Sequence, residues 1–127
     1  MGDHAEFMSL PDSLLWRRAL KLYEQRDWFM VHEALEVLWK RSTGRDAEFY
    51  QALLQAAVSL YHFGNGNFAG ARQLAKSAIS RFADLPATMH GVDLKGYLHK
   101  YEAVLSPVLN NAPDLKPLDP SSSPVLG

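Results

Sequence analysis

Apolar residues return every three or four positions between about residues 13 and 108, with polar residues in the gaps. That period belongs to helices with one buried face. The spacing predicts a first helix over residues 13–25, after the capping residues Ser9 and Asp12, with Leu15, Trp16, Ala19, Leu20, Leu22 and Tyr23 on its apolar side. A second follows the N-cap Asp27 and buries Trp28, Val31, Ala34, Leu35, Leu38 and Trp39. Gly44 is expected to stop it and Asp46 to cap a third helix, over residues 47–64. Gly64-Asn65-Gly66-Asn67 reads as a turn, because these residues tolerate positive φ. Asn67 caps a fourth helix over residues 68–85, which Pro86 stops. Asp93 opens a fifth, with Leu94, Tyr97, Leu98, Tyr101, Val104, Leu105 and Val108 at helical spacing, and Pro107 should kink or end it.

The predicted fold class is all-α, a single-domain bundle of about five helices in antiparallel pairs around a central apolar helix. Residues 1–12 are an N-terminal segment and 13–109 the bundle. Residues 110–127 hold four Pro and three Ser, which predicts an extended or disordered tail. A weak internal echo relates Ala19, Leu22, Tyr23, Asp27 and Trp28 to Ala57, Leu60, Tyr61, Asn67 and Phe68, with offsets that differ by two.

The third helix is unusual. Glu48 is its sole Asp, Glu, Lys or Arg, and its polar side is a narrow stripe of Gln51, Gln55, Ser59 and His62. Solvent faces use Lys and Glu, so a neutral stripe predicts a face turned toward protein or a pocket. On the second helix, His32 lies at the edge of the apolar stripe, Glu36 one step out, and Glu33 and Lys40 further round. Gln51, Gln55 and His62 fall within roughly 40° on the wheel, so an antiparallel second and third helix would bring both sets together.

Three readings of that His/Glu/Gln cluster stand side by side. It is a satisfied polar network that fixes helix register, or Glu36 simply pairs with Lys40 on the surface. It is a metal site in which His32, Glu36 and His62 bind a divalent ion and Glu33 or Glu36 activates water. Or it is a small-molecule or peptide pocket oriented by His32 and Glu36. His-Glu-x-x-Glu lacks the second His of the zinc motif. No catalytic residue is assigned, and no cofactor is the leading expectation, with a divalent metal as the alternative.

Composition narrows the partners. The 127 residues carry 13 basic and 14 acidic side chains, so nucleic acid and anionic membrane are not expected partners. No cysteine is present, which removes disulfides and thiolate chemistry and suits the cytoplasm. The first residues lack the features of a secretory signal, and no apolar run approaches a membrane span. Small and aromatic residues on the fourth and fifth helices make a homodimer an expectation. His4, His90 and His99 receive no role.

The stretches Phe29-Met30-Val31-His32-Glu33-Ala34-Leu35-Glu36-Val37-Leu38-Trp39, Phe49-Tyr50-Gln51-Ala52-Leu53-Leu54-Gln55 and Tyr61-His62, with Gly66-Asn67 after them, resemble the domain of unknown function 309 family. The resemblance covers roughly residues 15–85. Val31 stands where that family usually has Ala, and Ala52 where it often has Gly; both leave the polar set intact. The resemblance implies a small, all-helical, cytosolic protein without established biochemistry. Its signature positions here are His32, Glu33, Glu36, Trp39, Gln51, Gln55 and His62. The leading expectation is a small binding or interaction module with an unknown protein or small-molecule partner; the alternative is a metal-dependent hydrolase.

Overall fold

The structure is a computed structural model and describes residues 2–126. Its elements in order are α1 (Gly2–Ser9), α2 (Asp12–Glu24), α3 (Trp28–Arg41), α4 (Gly44–Gly64), α5 (Phe68–Ala83), a hairpin of β1 (Thr88–Met89) and β2 (Val92–Asp93), α6 (Leu94–Leu109), and a 3-10 turn at Pro120–Ser122. The all-α bundle is as the periodicity predicts, and α2 to α6 are the five expected helices. None of the helices is long and apolar enough to cross a membrane, among the described residues.

The central apolar helix is α4, packed between α3 and α5. Phe49, Leu53, Ala56, Ala57 and Leu60 are buried along it. It starts one turn earlier than expected. Gly44 adopts φ +61 and the N-cap is Thr43, so Asp46 lies in the first turn instead of capping it. It still places a carboxylate in the first turn, where negative charge is favoured. Pro107 sits inside the last turn of α6, and the helix closes two residues later.

The helical pairs echo each other more closely than the sequence comparison predicts. Asp27 N–H donates to the Leu22 carbonyl at 3.0 Å, and Asn67 N–H to His62 at 2.9 Å. Arg26 has φ +58 and Gly66 φ +78, and the Asp27 and Asn67 side chains accept from Met30 N–H and Gly70 N–H. Each is a helix stop with one left-handed residue followed by a capped restart. The register is a constant forty residues, so Tyr23 matches Phe63 and Trp28 matches Phe68. The expected alignment with offsets differing by two is corrected here: it followed side-chain identity, whereas the backbone turn sets the equivalence.

Three segments differ from expectation. Within the N-terminal segment, residues 2–9 are helical and Phe7 is buried. Arg41 fastens this helix by donating from Nη2 to the Met8 carbonyl at 2.6 Å and from Nη1 to Leu10 at 2.7 Å, satisfying carbonyls a helix end leaves free. Residues 88–93 form the hairpin, whose loop residues His90 and Gly91 both have positive φ, as a two-residue hairpin turn of matching twist requires. The tail is extended yet ordered against the bundle. Leu118 N–H donates to the Phe63 carbonyl at 3.1 Å, and Leu126 is buried. Proline-rich chain needs no internal ladder, so a few aliphatic anchors suffice to hold it.

Part of the α5 and α6 surface that made a homodimer an expectation is buried within the bundle. Ala71, Ala75 and Ala78 are buried, and the Phe82 and Tyr97 rings meet edge-on at 5.6 Å.

Candidate functional site

On α3 the helical period carries His32, Glu33 and Glu36 away from the stripe that includes Leu35 and Leu38, onto a half-buried edge. His32 Nε2 lies 3.3 Å from Glu36 Oε2, and Glu36 Oε1 accepts from Lys40 Nζ at 3.1 Å. On the other side, His32 Nδ1 is 3.9 Å from Glu33 Oε1, while Glu33 Oε2 lies 2.9 Å from His4 Nδ1 on α1. The result is a ribbon running His4, Glu33, His32, Glu36, Lys40. Positive or hydrogen-bond-donating groups alternate along it with carboxylates.

The stripe on α4 does not join this ribbon. Gln55 Oε1 accepts from Ser77 Oγ at 2.9 Å and from Arg81 Nε at 3.2 Å, both on α5. Arg81 continues to Glu48 Oε2 at 3.0 Å. Ser59 is fully buried and bonds the Tyr101 hydroxyl of α6 while donating to the Ala56 carbonyl at 2.6 Å. His62 Nδ1 lies 3.3 Å from Asn67 Nδ2 at the next turn. Gln51 is half-buried on α4, and Trp39 is half-buried against the core. Gln55 and Ser59 of the neutral stripe do face protein, but the protein is α5 and α6. Helix α4 has neighbours on two sides, and the wheel alone could not say which side the Gln residues take.

The proposed metal ligands His32, Glu36 and His62 therefore do not converge. Among the described residues, no three His, Cys, Asp or Glu side chains are placed to hold a metal ion. Between His32 and His62 come two other rings: His32 to Phe29 is 6.3 Å, Phe29 to Tyr61 is 6.5 Å, and Tyr61 to His62 is 5.8 Å between centroids. Phe29 is 55% exposed and Tyr61 41%. Among the described residues these side chains form no metal-ligand set, and the geometry gives the hydrolase alternative no support.

Phe29 and Tyr61 escaped the sequence reading. Phe29 is a large apolar residue outside the buried stripe of its helix, a legible signal; Tyr61 carries no signal that separates it from the core residues around it. His4 carried no signal, because its partner Glu33 is 29 positions away. Among the basic residues, Arg18 is bound to Glu6, Arg41 to the end of α1 and Arg45 to the Asp84 carbonyl.

His90 is a second unpredicted feature. Its ring lies 4.9 Å from Phe49, 5.4 Å from Tyr50 and 5.9 Å from Trp16, and its Nε2 is 2.9 Å from Asp46 Oδ1. The Tyr50 hydroxyl beneath it is pushed up to about 12 by burial, with Asp46 and Asp12 adding to the shift. This box pins the hairpin tip to α2 and α4.

Residues 16–74 match the family model described as a domain of unknown function, DUF309. An uncharacterised protein of Aquifex aeolicus (strain VF5) is 28% identical over 105 residues, which are 80% of this chain and 31% of that protein. The uncharacterised protein YpuF of Bacillus subtilis (strain 168) is 34% identical over 61 residues, covering 47% of this chain and 35% of YpuF. The matched stretches thus span about a third of each relative. No solved structure matches the chain.

Proposed function

We propose that this chain, whose residues 16–74 match the model of the domain of unknown function 309 family, is a cytoplasmic binding module whose α3 edge docks a protein partner. One observation carries the reading: Phe29 and Tyr61, two large rings left in water, lie 6.5 Å apart beside the His32–Glu36 pair. Aromatic side chains supply apolar contact at low entropic cost and dominate interface hot spots. The ribbon of Glu33, His32 and Glu36 next to them supplies direction. A partner that fits offers an aliphatic side chain to the ring pair and a hydrogen-bond donor or cation to Glu36.

The relatives support a module. In both, the matching region is about a third of a longer polypeptide, so it works there alongside further protein. The polar residues of this surface are one part of the His/Glu/Gln set; Gln55 belongs instead to the α4–α5 seam.

The test places a photo-crosslinking phenylalanine analogue at position 29 of the full chain in cells, with the exposed α6 position Lys100 as control. A discrete adduct is expected at position 29 alone, falling about tenfold in a His32→Ala/Glu36→Ala background. An adduct of twice the chain mass would identify the partner as a second copy. Equal labelling at both positions, or an adduct indifferent to the double substitution, sinks the proposal.

A further inference from the structure

The C-terminal segment sits in the bundle as a peptide sits in a receptor. Leu126 is 8% exposed and sits in an apolar seat beside Trp16, Ala19, Leu20, Val31, Leu35 and Leu53. Two residues earlier, the Pro124 carbonyl accepts the Tyr23 hydroxyl at 2.8 Å. Tyr23 and Tyr97 are both buried, their hydroxyl oxygens 2.9 Å apart. Each phenol has one proton. Since Tyr23 donates to Pro124, Tyr97 donates to Tyr23, and the pair leaves one O–H aimed at whatever chain lies in the groove. A buried donor without an acceptor is costly, so this hydroxyl selects for a backbone carbonyl.

The resident segment fits the groove without filling it. A cleft of about 370 Å³ remains beside Pro124, between Leu20, Trp28 and Val92. Val125 is 60% exposed along its rim. Among the described residues, the tail joins no helix ladder or sheet of the bundle. Its anchors are Leu118 N–H on Phe63, the Arg26 guanidinium on the Pro120 carbonyl, and the Tyr23 bond. Asn111 and Asp114, at its root, take φ +51 and +58, a conformation these residue types tolerate and few others do.

We propose that this groove is a docking site for an extended peptide that presents a backbone carbonyl two residues before a branched aliphatic side chain, and that residues 123–126 are its displaceable resident occupant. The site is separate from the α3 edge, and neither reading depends on the other. Recognition uses one directional bond from Tyr23 and one apolar seat. A competing peptide must overcome the high effective concentration of the attached tail.

The experiment uses the full chain carrying Leu126→Asp, which expels the tail's anchor, and a fluorescein-labelled peptide of residues 119–127 read by anisotropy. Saturable binding is expected, at least about tenfold tighter than to the wild-type chain, where the tethered tail competes. Adding Tyr23→Phe to the Leu126→Asp chain should weaken it about tenfold, the ratio expected for one buried hydrogen bond. A peptide with Leu126→Asp should not bind. Circular dichroism establishes that each variant is folded. A folded Leu126→Asp chain that ignores the peptide overturns the proposal, as does binding indifferent to Tyr23 or to the peptide's leucine. If Leu126→Asp does not fold, the fluorescein-labelled peptide is titrated with the wild-type chain to millimolar concentration and its anisotropy followed, since an identical segment replacing the tail leaves Trp16 and Trp28 in the same surroundings. Saturable binding then supports the proposal, and a flat signal overturns it.

Discussion

Arg26 and Gly66 hold the same place in two copies of one turn: each takes positive φ, 58° and 78°, at the stop between paired helices. One copy meets the requirement with glycine. The other holds an arginine in the left-handed region and ties its guanidinium to the Pro120 carbonyl.

The turn gives a first prediction. A Cβ at Gly66 has room, since its nearest neighbour would be Pro117 Cγ at 4.0 Å, so the cost of Gly66→Ala is backbone strain alone. Stability should fall by about 1 kcal/mol. Gly64→Ala, at an unstrained position in the last turn of α4 with nothing within 4 Å, should be neutral or gain a few tenths of a kcal/mol. Urea unfolding of both variants reads the contrast, and equal effects would mean the left-handed turn is not retained in solution.

The Ser59–Tyr101 pair should be asymmetric. Ser59→Ala leaves the fully buried Tyr101 hydroxyl without its partner and should cost about 2 kcal/mol. Tyr101→Phe leaves Ser59 still donating to Ala56 and should cost less. The double variant should recover part of the Ser59→Ala loss. Additive losses in the double-mutant cycle would show the two hydroxyls to be uncoupled.

Alkaline pH should weaken the fold. Burial raises the phenols of Tyr23, Tyr97 and Tyr101 above the ordinary tyrosine value, and Tyr50 is pushed up to about 12. The unfolded chain ionises these groups near pH 10 while the native chain keeps them protonated. Their contribution is therefore complete below pH 10 and is lost as pH rises from 10 towards 12. Each group adds a slope of up to about 1.4 kcal/mol per pH unit in that window. The urea midpoint should be flat to about pH 9.5 and then fall, less steeply in Tyr50→Phe. A midpoint constant through pH 11.5 would contradict the buried assignments.

His90 should matter more to stability than His32. His90→Ala removes a ring from among Trp16, Phe49 and Tyr50 and frees Asp46, and should cost about 1.5 kcal/mol. His32→Ala breaks partly exposed pairs with Glu33 and Glu36 and should cost under about 0.5 kcal/mol. Thermal melts of both variants decide it. A larger loss at His32 would make the α3 ribbon a structural device and not a free surface.

The sequence by itself determined the helices, their main stops and their buried faces. Leu35, Leu53, Ala75 and Tyr101 are buried where the 3.6-residue period puts them, because that period is a local property of the chain. The caps at Asp27, Asn67 and Asp93 were legible for the same reason: the side chain reaches a backbone N–H three residues on. It also marked His32, Glu33 and Glu36 as lying off the core. What it could not fix was which neighbour each helix face meets. A wheel gives direction around one axis, and only packing decides that Gln55 meets Ser77 and Arg81, that Ser59 meets Tyr101, and that His62 stays apart from His32. The docking of α1, the His90 box and the seat of Leu126 were likewise decided by tertiary structure. Each joins residues tens of positions apart, through contacts that no local pattern encodes.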